Sequence, residues 1–559
     1  MRTGLRSNFP VGSPQWAKRR AQWLALGLSD EDLQKPKIAV VNSSSDLAIC
    51  YAHLDQVAAR AKAAIRAAGG LPLEVRTVAP SDLITSAGHK GGYILSARDL
   101  IVNDIEAAVE GALLDGMLCL SSCDKTVPAH LMAAARLNIP TVVVACGYQT
   151  SGSYRGRPLD VEDIMAGAGH LATGRLTVEE MWEMSACAIT GPGVCAGMGT
   201  ANSMHIVSEA LGMAMPKSTP VQALSARMWE AVEWAGRRIV EMVWEDLTPR
   251  QILTPAAFAN AVRVVLAISG SINCVKHLQA IAREAECEVD IYDLFRRLAD
   301  QVPVLAAVRP NGEHRIEDFE QAGGAIGLMK QLEPLLEGQA MTVAGQRLGE
   351  LLQDVKVRDP EVIRPLGRPF ARRPSIVLVS GSLAPHSAII KLSPSEERAV
   401  RFEGQAIVYE ALADAVAGVQ RGEVKPGHVV VLRGLGPKGT PGMGVSSALV
   451  FALEGAGLSA EVAIVTDGQL SGLVNRGIVV GEVSPEAADG GPIGLVENGD
   501  RIAIDIERRR VDLAVPEEEL RRRRERLDLA GATSEERGWL AIYRRIVRPL
   551  SDGAVLDRG

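Results

Sequence analysis

No apolar run in this chain approaches the roughly 20 residues that a membrane span requires, so no membrane partner is expected. A basic excess is also missing. Lys and Arg number 60 against 67 Asp and Glu, a net charge of −7, which leaves no electrostatic footprint for nucleic acid. Arg2 and Arg6 stand near the start without an apolar stretch behind them. No secretory leader is expected, and the compartment reads as cytoplasmic. Internal repeats and low-complexity tracts are absent. The glycine-rich breaks at Gly191–Gly199 and Ser269–Asn273 lack the spacing of a P-loop or a dinucleotide fingerprint. Eight cysteines are dispersed along the chain, so disulfides are not expected. Most of them read as small buried apolar residues.

What is present describes an ordinary globular enzyme. Hydrophobic residues make up 47% and charged residues 23% of the composition. At 559 residues the chain exceeds one core, and two or more domains are expected. Short apolar runs at Lys37–Val41, Leu73–Val78, Met117–Leu120 and Thr141–Ala145 alternate with helical periodicity at His53–Ala68 and Ser96–Leu114. That alternation predicts a parallel α/β sheet. From Val161 to Gln301 the pattern is mostly helical. Arg364–Pro374 reads as a linker. Beyond it, runs at Ile376–Val379, His428–Leu432, Val462–Val465 and Arg501–Ile506 predict a smaller β-rich domain. The expected division is 1–370 and 371–559. Pro516–Leu527 reads as a charged, solvated helix.

One stretch concentrates chemistry. The run Met117–Leu120 opens into small residues and then presents Cys123, Asp124 and Lys125 in a row, with Pro128 expected to start a helix. This places a soft thiolate ligand beside a hard carboxylate ligand, at the kind of strand-to-helix junction where open α/β sheets bind ligands. Cys50 follows another strand and a polar loop, and Cys195 lies in a glycine-rich loop. Their separations from Cys123, 73 and 72 residues, do not by themselves make a metal site.

The motifs extend further. Cys123-Asp-Lys-Thr-Val-Pro128, Met198-Gly-Thr-Ala201, Glu209-Ala-Leu-Gly-Met213, Gly436-Pro-Lys-Gly439, Pro441-Gly-Met443, Val483-Ser-Pro-Glu-Ala-Ala488 and Gly490-Gly-Pro-Ile493 occur in this order. Together they resemble the dihydroxyacid dehydratase and phosphogluconate dehydratase family over nearly the whole chain. The resemblance implies a C-terminal domain like the swivelling domain of aconitase, an active site in the cleft between domains, and a homodimer or homotetramer. It implies that Cys50, Cys123 and Cys195 hold an iron–sulfur cluster, for which thiolates are the expected ligands. The presence of Cys50 matches the 2Fe–2S branch, which includes sugar-acid dehydratases. It implies further that Asp82, Asp124 and Lys125, the lysine as a carbamate, hold Mg2+. A carbamate supplies the hard oxygen that an ammonium lacks. Thr466-Asp-Gly-Gln-Leu-Ser-Gly472 matches the segment carrying the family's base, which makes Ser471 the proton acceptor. The implied reaction dehydrates a 2,3-dihydroxy acid, branched or sugar-derived, to a 2-keto acid.

The chain departs from the family pattern at Val445, where a fourth Mg2+ ligand, glutamate, is usual, and at Gln469, where arginine is usual. Leu83, Ser382 and His386 replace glycine, asparagine and aspartate. A histidine at position 386 has an ordinary pKa suited to proton donation. The alternative function is a non-catalytic iron–sulfur protein, either a sensor or a partner subunit.

Overall fold

The computed structural model describes residues 4–172, 174–394, 400–470, 477–526 and 536–557. A four-stranded sheet comes first, built from β1 (Lys37–Asn42), β2 (Leu71–Arg76), β3 (Gly116–Ser121) and β4 (Thr141–Ala145). Its order is β2-β1-β3-β4 and every pairing is parallel. Strands β1, β3 and β4 are buried along their whole length, as expected where helices cover both faces of a parallel sheet. The helix Leu54–Ala67 packs closely on Ala226–Glu245. Gly236 permits the approach, since a Cβ there would lie 2.5 Å from the Ala64 side chain. A small hairpin, β5 (Gly152–Tyr154) with β6 (Arg157–Leu159), follows. Helices then dominate up to Leu352.

The second sheet has eight strands: β7 (Ile376–Val379), β8 (Ser387–Lys391), β9 (Arg401–Tyr409), β10 (His428–Leu432), β11 (Ala463–Thr466), β12 (Ile478–Ser484), β13 (Arg501–Asp505) and β14 (Arg510–Leu513). Their order is β14-β13-β9-β10-β11-β12-β8-β7. The four central strands run parallel, and the flanking pairs run antiparallel. Just beyond β7, Ser380 bridges to Arg510 of β14, which nearly closes the sheet on itself. Near closure protects edge strands that would otherwise expose unpaired backbone groups. The architecture is the expected one, a parallel α/β region followed by a β-rich region.

Individual boundaries shift slightly. The helix expected to begin at Pro128 starts at Thr126, and the one expected at Ser96 starts at Gly92. Strands β8, β9, β12 and β14 were not expected from the sequence. No helix among the described residues is long and apolar enough to cross a membrane.

Two buried lysines tie the second sheet to the helices of the first half. Lys276 reaches Glu482 at 2.5 Å, with both side chains sealed from solvent. Glu482 sits at φ 55° where β12 slips register against β8, a bulge that re-aims its side chain. Lys391 of β8 donates to the carbonyls of Ser269 and Gly270 at 2.5 and 2.7 Å. Lys276→Met leaves the Glu482 charge buried and unpaired, so it is expected to cost about 3–5 kcal/mol of stability. The double variant Lys276→Met/Glu482→Leu is expected to recover most of that loss in urea denaturation.

Candidate active site

The carboxyl ends of the parallel strands supply the site. The loop after β1 carries Cys50, the loop after β2 carries Asp82, the turn after β3 carries Cys123, Asp124 and Lys125, and the segment after β4 carries Gln149. The strand order reverses between β1 and β3, and such a switch point opens a crevice beyond the strand ends. Cys50 and Cys123 flank it. Ser122 donates its hydroxyl to the Cys50 carbonyl and so pins the two loops together. Thr126 braces the turn, accepting from Ser122 N–H and donating to the Cys123 carbonyl, each at 3.1 Å. Cys195 comes from the glycine-rich loop before the helix Thr200–Ala210, and Asn202 holds its carbonyl at 2.9 Å.

These elements enclose a cavity of about 440 Å³, lined by Cys50, Asp82, Cys123, Asp124 and Cys195 among others. All three predicted thiols and both predicted carboxylates therefore face one space. Opposite them lie Val445, Gln469 and Leu470. Val445 and Gln469, the two main departures from the family pattern, are partners in one isolated parallel bridge. Ser471 lies outside the described residues, but its neighbours Gln469 and Leu470 bring the chain to the cavity wall. His386 is exposed and is not part of the described lining. Sequence reasoning missed Gln149, Glu162, Thr200 and Asn202, which line the same cavity.

Electrostatics reinforce the grouping. Cys50 is held far above the ordinary thiol range, first by its hydrogen bond to Cys123, then by burial and by the Cys123 and Cys195 charges. Cys195 is raised by burial, then by Cys123 and Asp124. Three thiolates so close are costly without a cation among them. Burial, then the Asp82 charge, pushes Asp124 up to about 7. Burial opposes the Lys125 ammonium, but Asp82 and Asp124 outweigh it and its pKa rises above the ordinary lysine value. Lys125 Nζ donates to Asp82 Oδ2 at 2.9 Å, and the other Asp82 oxygen is buried without a partner. Among the described residues, no three His, Cys, Asp or Glu side chains form a group that could hold a metal ion as they stand.

Thiols and carboxylates gathered beyond the ends of a parallel sheet define an enzyme site. Residues 35–351 match the family model for the N-terminal part of dihydroxy-acid/6-phosphogluconate dehydratases, and residues 361–554 match the model for the C-terminal part. A dihydroxy-acid dehydratase of Pyrococcus abyssi is 41% identical over 99% of this chain and 100% of its own length. One from Ignicoccus hospitalis is 41% identical over 97% and 98%, and one from Caldicellulosiruptor saccharolyticus is 39% identical over 99% and 100%. The chain belongs to the dihydroxy-acid/6-phosphogluconate dehydratase family and is a hydro-lyase.

Proposed function

We propose that this enzyme removes water from a 2,3-dihydroxy carboxylic acid to give a 2-keto acid. The observation that carries the reading is the meeting of Cys50, Cys123, Cys195, Asp82 and Asp124 on one cavity wall, facing the segment that leads into Ser471. Cys50, Cys123 and Cys195 would hold a 2Fe–2S cluster, whose positive irons would offset the mutual repulsion of these buried thiolates. The unpartnered oxygen of Asp82 and the burial of Asp124 fit a divalent cation such as Mg2+. Two carboxylates fall short of a one-ion site until Lys125 becomes a carbamate and supplies a third oxygen ligand.

When bound, these groups supply Lewis acidity at a leaving hydroxyl and at a carboxylate. The chain's own residues do the rest. Ser471 takes the C2 proton. Apolar side chains, among them Ile84, Ile94, Val445 and Leu470, line much of the cavity and exclude water from the reacting carbons. Neither arginine nor lysine is part of the described lining; a bound cation would supply a positive partner for the substrate carboxylate. Residues 1–370 form the cluster-binding domain and 371–559 the domain bearing the base. A homodimer or homotetramer is the expected assembly. None of the eight cysteines is paired in a disulfide.

A colourless, iron-free protein that stays inert toward dihydroxy acids after anaerobic reconstitution would sink the dehydratase reading. An iron-loaded protein equally inert would favour the non-catalytic alternative. Val445→Glu adds a carboxylate at the cavity wall and is expected to raise Mg2+ affinity about tenfold or more, as an added anionic ligand does. Unchanged affinity in titration calorimetry would show that position 445 does not face the cation.

A further inference from the structure

One part of the cavity wall is unaccounted for by the thiols and carboxylates above. Gln149, Glu162 and Asn202 all close on the loop Gly193–Gly197. Gln149 N–H donates to the Val194 carbonyl at 2.8 Å. Asn202 donates to the Gly197 carbonyl at 2.8 Å. Glu162 lies so tightly against Gly197 that a Cβ there would overlap its Oε1 at 1.5 Å.

Each of these side chains is at least nine-tenths buried, and each lines the cavity. Each also leaves a buried polar atom without a hydrogen-bond partner: Gln149 Nε2, Glu162 Oε1 and Asn202 Oδ1. Unmet buried polar atoms of this kind cost about 1–3 kcal/mol each, and three at one place in a ligand cavity point to a ligand that meets them. The guanidinium of Arg309 pairs with Asp160 and Asp163, at 3.1 and 2.7 Å, and only partly offsets the burial of Glu162.

We propose that Gln149, Glu162 and Asn202 form a specificity subsite that binds a substrate hydroxyl beyond the two used in the reaction. The set offers a donor in Gln149 and an acceptor in Asn202, the pairing that a hydroxyl satisfies from both sides. Glu162 adds a third buried polar atom beside them, its carboxyl packed against Gly197 of the same loop. The preferred substrate is then a 2,3-dihydroxy acid whose chain carries a further hydroxyl. This inference rests on the dehydratase reading above.

The test uses the reconstituted holoenzyme with two probes, a five-carbon aldonic acid and a branched alkyl dihydroxy acid. The ratio of their kcat/KM values, aldonic over alkyl, is expected to fall about tenfold or more in Glu162→Leu and in Gln149→Leu, through KM. Glu162→Gln, which keeps a polar group, is expected to hold the ratio near that of the wild type. An unchanged ratio in both leucine variants overturns the subsite. Altered iron content or visible spectrum in those variants, with both substrates affected alike, overturns it as well and assigns the residues to the cluster. If the wild type turns over neither probe, the dehydratase reading fails separately. Calorimetric binding of the aldonic acid to the wild type and to Glu162→Leu then still reads the subsite, and equal affinities overturn it.

Discussion

Cys123→Ser is expected to abolish iron loading and to lower dehydratase activity by about a thousandfold or more, the scale set by losing a Lewis acid from the reacting centre. Cys123 is the middle thiol of the three. Its side chain hydrogen-bonds Cys50, and its charge bears on both Cys50 and Cys195. Serine nearly preserves its volume, and volume-conserving changes disturb a packed site little. The loss therefore falls on the cofactor rather than the fold. Cys119, in the same strand, is an internal control. It is fully buried, and burial alone raises its pKa. Cys119→Ser is expected to keep its iron and to lose only stability, from an added hydroxyl in an apolar setting. The measurements are iron and acid-labile sulfide per chain, the visible spectrum, and 2-keto acid formation. Full iron loading in Cys123→Ser would remove Cys123 from the ligand set.

The fold was legible where strands are buried on both faces. Lys37–Val41, Thr141–Ala145, Ile376–Val379 and His428–Leu432 are continuous apolar runs, and strands occupy all four. Strand β9 was hidden because Arg401–Tyr409 alternates exposed and partly buried positions, and its polar half looks like a loop. Strand β8 ends on Lys391, a residue that sequence reasoning assigns to the surface, yet it is buried against two carbonyls. Only the packing of β8 against the Ser269–Gly270 turn makes that position possible. The site divides in the same way. Asp124 and Lys125 could be singled out because they adjoin a thiol at a strand end. The gathering of Cys50, Cys123 and Cys195 could not be read from spacing, since it depends on the crossover that sets β1 beside β3. Glu162 and Gln149 gave no signal at all. Their significance lies in hydrogen bonds they do not make, which only three-dimensional packing can reveal.

Lys125→Met is expected to produce the largest stability change at the site. Lys125 is wholly buried, bonded to Asp82, and close enough to Asp124 to feel its charge. Methionine fills a similar volume and removes the ammonium that is bonded to Asp82 and acts on Asp124. Breaking such a buried arrangement from one side costs about 3–5 kcal/mol. The sign of its pH dependence follows from Asp124. Its folded pKa is raised to about 7, above its unfolded value, so the folded state favours the protonated carboxyl. The penalty is absent below the ordinary carboxylate range near 4 and grows as pH rises toward about 7. Without Lys125 the raised pKa moves higher still. The excess penalty opens only as pH passes about 7, so the deficit relative to wild type should be smaller at pH 5 than at pH 8 and still growing at pH 8, read as the urea midpoint of chelator-treated protein. An equal deficit at both pH values would mean that Lys125 stabilises by packing alone. On the proposed reading, carbamate formation at Lys125 would need a neutral amine, while Asp82 and Asp124 favour the ammonium, so a bound cation and the carbamate would have to stabilise each other. Bicarbonate and Mg2+ together should therefore bind where neither alone does, with the mass of one CO2 appearing on the wild type and not on Lys125→Met.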